Sequence, residues 1–135
     1  MPVALIDTGS VREDLIRFAS QMSEFYGGQN GLVTLRVSLE AITRPELLAP
    51  VQEQSSTVIL AARAIVHRGI DRGELPEGTS ATLVTDLVAG AVLNHILATP
   101  LNLRESMLKQ LDRYIEDLID LILAGVQCRE HPLSS

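Results

Sequence analysis

The sequence predicts an all-α protein built from five helices in one domain. Apolar residues recur three and four positions apart along most of the chain, which is the spacing that places them on one face of an α-helix. No stretch alternates apolar and polar residues as a half-buried β-strand does. The chain has 135 residues, of which 46 % are hydrophobic, and this is enough for one buried core.

Capping residues and glycines mark the first two helices. Helix A is expected over 11–26, where Ser10 and Glu13 form a capping box that satisfies free amides at the start of the helix. Two glycines then end helix A. Helix B is expected over 31–42, with Asn30 as its N-cap.

Proline and glycine bound the third helix. Helix C is expected over 45–72. Pro45 suits its first turn, because proline lacks an N–H and the amides of a first turn have no intrahelical partner. Pro50 should bend or restart this helix. Gly73 should end it.

The last two helices carry the most apolar surface. Helix D is expected over 80–98 and is apolar around most of its circumference, so it must be covered on several sides. Helix E is expected over 103–124, with a box-like cap from Asn102 and Glu105 and with Gly125 as its C-cap.

These two helices predict a dimer. Gly90 lies in the middle of helix D, where glycine costs about 1 kcal/mol relative to alanine. Close approach of another helix would offset that cost. We therefore expect a two-fold symmetric homodimer that packs helices D and E as a four-helix bundle. Its expected interface residues are Leu87, Gly90, Ala91, Leu111, Ile115, Leu118 and Ile122.

A pocket between helices A, C and D is the candidate binding site, because an apolar cavity with a few polar groups is how small-molecule sites are usually built. We expect a small, mostly apolar effector there, and Arg63 would favour a carboxylate or phenolate. Other interpretations stay open: aromatic and Met side chains can be ordinary core, charged ones can lie on a solvated edge, and Asn94 can pair across the dimer axis. The candidate residues are Phe18, Met22, Ile59, Arg63, His67 and Asn94.

Charge and motifs argue against several other functions. The net charge of −6 disfavours nucleic-acid binding by this chain alone, because phosphate contacts need clustered Lys and Arg. Cys128 and His131 supply only half of a zinc-ligand spacing, so we expect no metal and no cofactor. No Ser-His-acid or Cys-His order stands out, so catalysis is not expected, although a small helical enzyme remains an alternative.

The apolar run over 87–103 contains Asn94 and Pro100, so we expect no membrane span. A single cysteine allows no disulfide within the chain and favours a reducing, cytoplasmic location.

Four stretches resemble the C-terminal domain of TetR-family transcriptional regulators. Together they cover about 7–126, and their order and spacing make the match fairly specific. The stretches are DTGSVREDL at 7–15, RPEL at 44–47, RGIDRGEL at 68–75, and GAVLNHIL at 90–97 followed by TPL at 99–101.

The resemblance implies a five-helix domain that binds a small effector and dimerises through its last two helices. The complete regulator would be a dimeric repressor that binds operator DNA. The family's DNA-reading head is a helix-turn-helix placed before this domain, and nothing before Ser10 can supply it. The chain therefore resembles a regulator that lacks this head. Many relatives carry Pro and aromatic or Arg residues in the helix D motif, whereas this chain has Ala91, Leu93, Asn94 and His95, so no ligand contact of relatives is carried over.

The expected organisation is a lead-in over 1–9, a ligand-binding and dimerisation domain over 10–126, and a flexible tail over 127–135. The expected function is effector sensing for a transcriptional regulator. The alternative is a helical domain that dimerises and senses nothing.

Overall fold

The computed structural model describes residues 5–128, apart from the side chains of Val51 and Gln54, and it confirms the all-α class. Within that range, five α-helices and two short 3-10 helices follow one another without a strand. The α-helices are α1 (Val11–Gly27), α2 (Gln29–Thr43), α3 (Leu48–Asp71), α4 (Ala81–Ala98) and α5 (Arg104–Cys128). The 3-10 helices are Pro45–Leu47 and Leu101–Leu103.

Of the two hydrogen bonds of the capping box predicted at the start of α1, one is present. Ser10 is the N-cap, and its Oγ accepts a hydrogen bond from the Glu13 amide at 3.4 Å. The amide of Ser10, however, donates to Thr8 Oγ1 at 3.3 Å rather than to the Glu13 carboxylate. Glu13 instead faces Arg17, one turn further along the helix, at 3.8 Å. The expected capping box is therefore incomplete, because Thr8 takes the place of the glutamate.

The link between α1 and α2 is tighter than predicted. Gly28 alone separates the two helices and is the N-cap of α2, so the assignment of Asn30 as cap was wrong. Gly31 lies against the end of α1, where a Cβ atom would clash with the carbonyl of Phe25. A glycine at this position therefore lets α2 begin one residue after α1 has ended.

Helix C is divided as Pro50 suggested. Pro45 begins a 3-10 helix, and α3 restarts at Leu48, so that Pro50 falls in its first turn. A proline there removes no intrahelical hydrogen bond, because the first amides of a helix have no partner. Gly73 follows the end of α3 with a φ of +81°, a left-handed conformation that favours glycine.

The last two helices begin and end differently from each other. Helix α4 begins one residue after the expected start of helix D, and Ser80 is its N-cap, with Oγ accepting from the Leu83 amide at 3.1 Å. Asn102 lies inside a 3-10 helix and is not the cap of α5. Gly125 lies inside α5 rather than at its C-cap. The helix continues past this glycine because Val126 packs against the core, and burial of that side chain favours another helical turn.

The core lies around α1, which contacts all four other α-helices. Leu15 and Phe18 are almost fully buried in it. Ile6 is also buried, with 1 % of its surface exposed, so the predicted lead-in contributes to the core. At the other end, Gln127 and Cys128 belong to α5, and the rest of the predicted tail lies outside the described residues.

Candidate functional site

The predicted pocket residues lie in three different environments. Phe18 is 2 % exposed and packs inside the core, and Met22 is partly buried against the same core. Ile59 is 39 % exposed, although it was expected to line an internal wall. The structure therefore places the two α1 residues in ordinary core packing, which was the alternative interpretation for them.

The polar candidates also separate. Asn94 is exposed on the outer side of α4, one helical turn from Gly90, where a dimer contact was the alternative interpretation. His67 is exposed on α3, and Arg63 is partly buried one turn before it. The Nε atom of Arg63 is buried and has no hydrogen-bond partner.

The predicted dimer residues divide between the surface and the core. Leu87 is 46 % exposed, and a Cβ atom added at Gly90 would meet nothing within 4 Å. Ile115 and Ile122, by contrast, are 1 % and 8 % exposed, so their assignment to an interface is corrected here. They are buried because the broadest apolar side of α5 packs against α1. Ala91, Leu111 and Leu118 are partly exposed.

An exposed, mostly apolar surface runs along α4, and sequence reasoning found only part of it. We call this surface the outer α4 face, and it comprises Leu83, Leu87, Gly90, Asn94 and Leu97. These residues follow one another three or four positions apart, so they share one side of the helix. That spacing was visible in the sequence, but a helix that is apolar all round does not reveal which side faces outward.

A groove of about 550 Å³ lies between the last turns of α4 and the first half of α5. At its edge the rings of His95 and Tyr114 stack, with centroids 3.9 Å apart and planes 6° from parallel. The Tyr114 hydroxyl donates to the carbonyl of Ala91 at 3.3 Å, and burial raises the pKa of Tyr114 above its ordinary value. The lining residues are His95, Thr99, Leu103, Ser106, Met107, Gln110, Arg113, Tyr114 and Asp117.

A polar cluster, also not foreseen, joins the start of α1 to the end of α3. Asp14 is fully buried, and its Oδ1 accepts from the amide and the hydroxyl of Thr8 at 2.7 and 2.6 Å. Arg72 approaches the other Asp14 oxygen at 3.8 Å and also pairs with Glu74. Glu74 in turn accepts from the amide of Val11 at 3.0 Å, so it satisfies one free amide of α1.

A neighbouring arginine holds the chain before α1. Arg68 donates from Nη2 to the carbonyl of Ile6 at 2.6 Å and lies 3.6 Å from Asp7. Together with the cluster around Asp14, this contact fixes the N-terminal segment to α3. The groups are ion-paired and hydrogen-bonded to one another, so their arrangement is that of a structural junction rather than an acid–base pair.

A second exposed apolar region lies on α2. Its buried residues are only Gly31 and Ala41, while Val33 and Leu39 are more than half exposed. A groove of about 440 Å³ runs along it to Leu47. Because α2 buries so few side chains, it is the helix held least firmly by apolar packing.

Helix α4 is the most apolar element. By length and composition, Ala81–Ala98 would be able to cross a membrane, and one third of it is buried in the protein. One side of α4 packs in the core, however, with Val88 and Val92 fully covered. Within residues 5–128, no group of three or more His, Cys, Asp or Glu side chains is placed to hold a metal ion.

Comparison with known proteins gives a family for this fold. The sequence profile described as "Tetracyclin repressor-like, C-terminal domain" matches residues 5–124. The chain is 33 % identical over 99 residues to the HTH-type transcriptional regulator AqdR of Rhodococcus erythropolis, across 73 % of this chain and 47 % of that protein. It is 27 % identical over 126 residues to the uncharacterized HTH-type transcriptional regulator YdeS of Bacillus subtilis (strain 168), across 90 % of this chain and 58 % of that protein. No solved structure matches the chain with comparable significance.

The fold and these relatives define the class as a helical domain of transcriptional regulators. The chain belongs to the family of tetracycline repressor-like C-terminal domains, which confirms the resemblance found in the sequence. This family is a regulator domain and not a class of enzyme. The chain spans about half the length of the curated relatives that it matches.

Proposed function

We propose that the chain is the effector-sensing and dimerisation domain of a cytoplasmic transcriptional repressor. The observation that carries the proposal is the outer α4 face, which is apolar and has open space at Gly90.

Exposure of large apolar side chains supports a second copy as the partner. Leu83, Leu87 and Leu97 are between 46 % and 55 % exposed on this one face. Burying apolar surface is favourable by roughly 25 cal/mol per Å², so covering three leucines stabilises a complex substantially. A two-fold axis would bring the face of one protomer against the same face of its partner.

The glycine at position 90 on this face also supports a partner helix. Its φ is not positive, and within the described residues no atom of the protomer lies where its Cβ would be. Neither backbone conformation nor packing inside the protomer therefore requires glycine at this position. Close approach of a partner helix would require it, and the groove beside His95 would then receive side chains from the partner.

The effector-sensing half of the proposal rests on α3. This helix carries Arg63, and five residues later it carries Arg68, which holds the N-terminal segment. Five residues span about 7.5 Å along a helix axis. An effector that shifts α3 would therefore also move the segment before α1, which is where the remainder of a longer regulator would join. Such coupling needs an effector that binds one arrangement of α3 better than the other.

A domain that dimerises without sensing is the second candidate. The observation that favours it is the position of Phe18, which fills core space where an effector was expected. A ligand that raises the thermal midpoint of the protein would decide against this second candidate.

The dimer is tested by Gly90→Leu and by Gly90→Ala. We expect wild type to sediment as a dimer at micromolar concentration. Gly90→Leu should shift it toward monomer, because the added side chain separates the helices, whereas Gly90→Ala adds one methyl group and should perturb the dimer far less. Asp112→Leu places a leucine at an exposed α5 position and should stay dimeric. A monomeric wild type, or a Gly90→Leu variant as dimeric as wild type, would contradict the proposed interface.

A further inference from the structure

Arg63 carries a charge that the described part of the chain leaves without a partner. Within residues 5–128, every other arginine except Arg36 contacts a carboxylate or a backbone carbonyl. Arg36 is exposed on α2, so water can solvate its guanidinium. Arg63 differs from Arg36 because it is partly buried and its Nε atom is covered without a hydrogen-bond partner. The Nε atom of Arg68 is covered in the same way, but Arg68 donates from Nη2 to the carbonyl of Ile6.

Neither α3 nor α4 supplies Arg63 with a counter-ion. Helix α3 contains no acidic residue between Glu53 and Asp71, which are ten and eight positions away. The neighbouring helix α4 contains one acid, Asp86, and Asp86 forms no ion pair with Arg63. A buried donor without a partner destabilises a protein, and a charged one does so more strongly. Such a group needs an explanation, and a ligand absent from the structure is one.

The surroundings of Arg63 suit an amphipathic ligand. Ile59 and His67 lie one turn before and one turn after it on the same side of α3, and both are exposed. Val66 and Ala62 beside it are buried in the core and are not open to a ligand. Ile59, which is 39 % exposed, would contact the apolar body of a ligand, and Arg63 would orient its charged end.

We infer that Arg63 binds the carboxylate of an effector, so that the effector is a small organic acid with an apolar body. The inference deepens the proposed sensing function and rests on it. A guanidinium presents N–H groups in side-by-side pairs, which match the two oxygens of a carboxylate. The Nε atom of Arg63 is covered by the protein, so the pair open to a carboxylate is that of the two terminal Nη groups.

The first test needs no knowledge of the effector. If Arg63 is an unpaired cation in the ligand-free protein, Arg63→Met should raise the thermal midpoint, because it replaces a poorly solvated charge by an apolar side chain of similar length. The matched control is Arg36→Met, an exposed arginine with no carboxylate partner among the described residues, which should leave the midpoint nearly unchanged. A large decrease for Arg63→Met, with Arg36→Met neutral, would mean that Arg63 is structural and would overturn the inference.

The second test compares acids with their neutral isosteres by calorimetry. The probes are octanoate with octanamide, benzoate with benzamide, and 1-naphthoate with 1-naphthamide. For at least one of these pairs, wild type should bind the carboxylate about ten times more tightly than the amide. Arg36→Met should show the same preference. This preference should disappear in Arg63→Met and be partly kept in Arg63→Lys, which retains the charge but not the planar fork.

The outcomes separate this inference from the proposed function. If probes bind wild type but no acid binds more tightly than its amide, the assignment to an anion is wrong while effector sensing stands. If Arg63→Met keeps the preference, the carboxylate binds elsewhere and the inference is overturned. If none of the probes binds wild type, the inference is likewise overturned, whereas the dimer is judged separately by sedimentation.

Discussion

At the scale of single residues, the glycines in helices have opposite roles that only their neighbours reveal. Gly31 lies where a Cβ atom would meet the backbone of Phe25 and Tyr26 at the end of α1. Gly125 lies inside α5 with nothing within 4 Å of a Cβ atom. Both are glycines within helices, and helix propensity alone would make alanine more stable than glycine at both.

We therefore expect opposite signs for two alanine substitutions. Gly31→Ala should lower the free energy of unfolding by about 1–3 kcal/mol, because backbone atoms cannot move aside as a flexible side chain can. Gly125→Ala should raise it by up to about 1 kcal/mol, since alanine favours the helix. Urea unfolding with a common slope measures both. If both substitutions changed the free energy of unfolding equally, α2 would be able to move away from α1 without cost.

Arginine and aspartate residues show the same dependence on context. Asp14 has no exposed surface; one of its carboxylate oxygens accepts from Thr8, and the other has no hydrogen-bond partner and lies 3.8 Å from Arg72. Asp86 is exposed and pairs with nothing described. The sequence marks both as acidic helix residues, and it gives no sign that one of them anchors the segment before α1.

At the scale of elements, one surface ion pair joins the first and last helices. Arg12 of α1 and Asp120 of α5 form a bidentate contact, with Nε to Oδ1 at 2.7 Å and Nη2 to Oδ2 at 3.2 Å. This hydrogen bond, together with the charge of Arg12, holds the pKa of Asp120 below its ordinary value of 3.8. The same contact raises the pKa of Arg12.

The lowered pKa of Asp120 predicts how the stability of the fold depends on pH. A carboxyl group with a lowered pKa in the folded protein stabilises the fold above its unfolded pKa, and it loses that contribution as the pH falls through the folded value. Asp120→Asn should therefore lower the urea midpoint slightly at pH 7. The difference in midpoint from wild type should disappear as the pH falls below about 4. The effect should also shrink in high salt, because the pair is exposed.

The matched control for this prediction is Asp112→Asn, an exposed aspartate two turns earlier on α5 that forms no ion pair with a described residue. Its urea midpoint should follow that of wild type at both pH values. A difference between wild type and Asp120→Asn that persists unchanged in acid would mean that Asp120 acts through packing rather than through its charge.

At the scale of the whole molecule, charge predicts how the chain behaves toward DNA. Its net charge is −6, and most of its arginines are engaged with carboxylates or carbonyls of the same chain. Few cations remain to release counterions from a duplex. The described part of the chain therefore offers few free cations for phosphate contacts.

We expect that this chain alone does not bind duplex DNA selectively. A gel shift at low salt is the most demanding measurement, because non-specific electrostatic binding is strongest there. A relative that is itself an HTH-type transcriptional regulator serves as the positive control. A sequence-selective shift by residues 1–135 that survives physiological salt would contradict this prediction.

The sequence by itself determined some local features of the fold, although the expected caps Asn30, Asn102 and Gly125 were wrong. Ser10, Ser80 and Gly73 bound helices where their side chains or conformations act within one turn, and such signals need no distant partner. The all-α class and the family followed from periodicity and from the order of four motifs.

Tertiary structure alone decided how the helices are rotated and what they bury. Ile115, Ile122 and Phe18 turned inward because α1 lies at the centre of the core, and no local pattern states which side of an apolar helix meets that centre. The unpartnered Arg63 and the buried Asp14 were likewise invisible in the sequence. Whether a charge is satisfied depends on side chains brought near it by contacts far apart in the chain, as Arg72 is to Asp14.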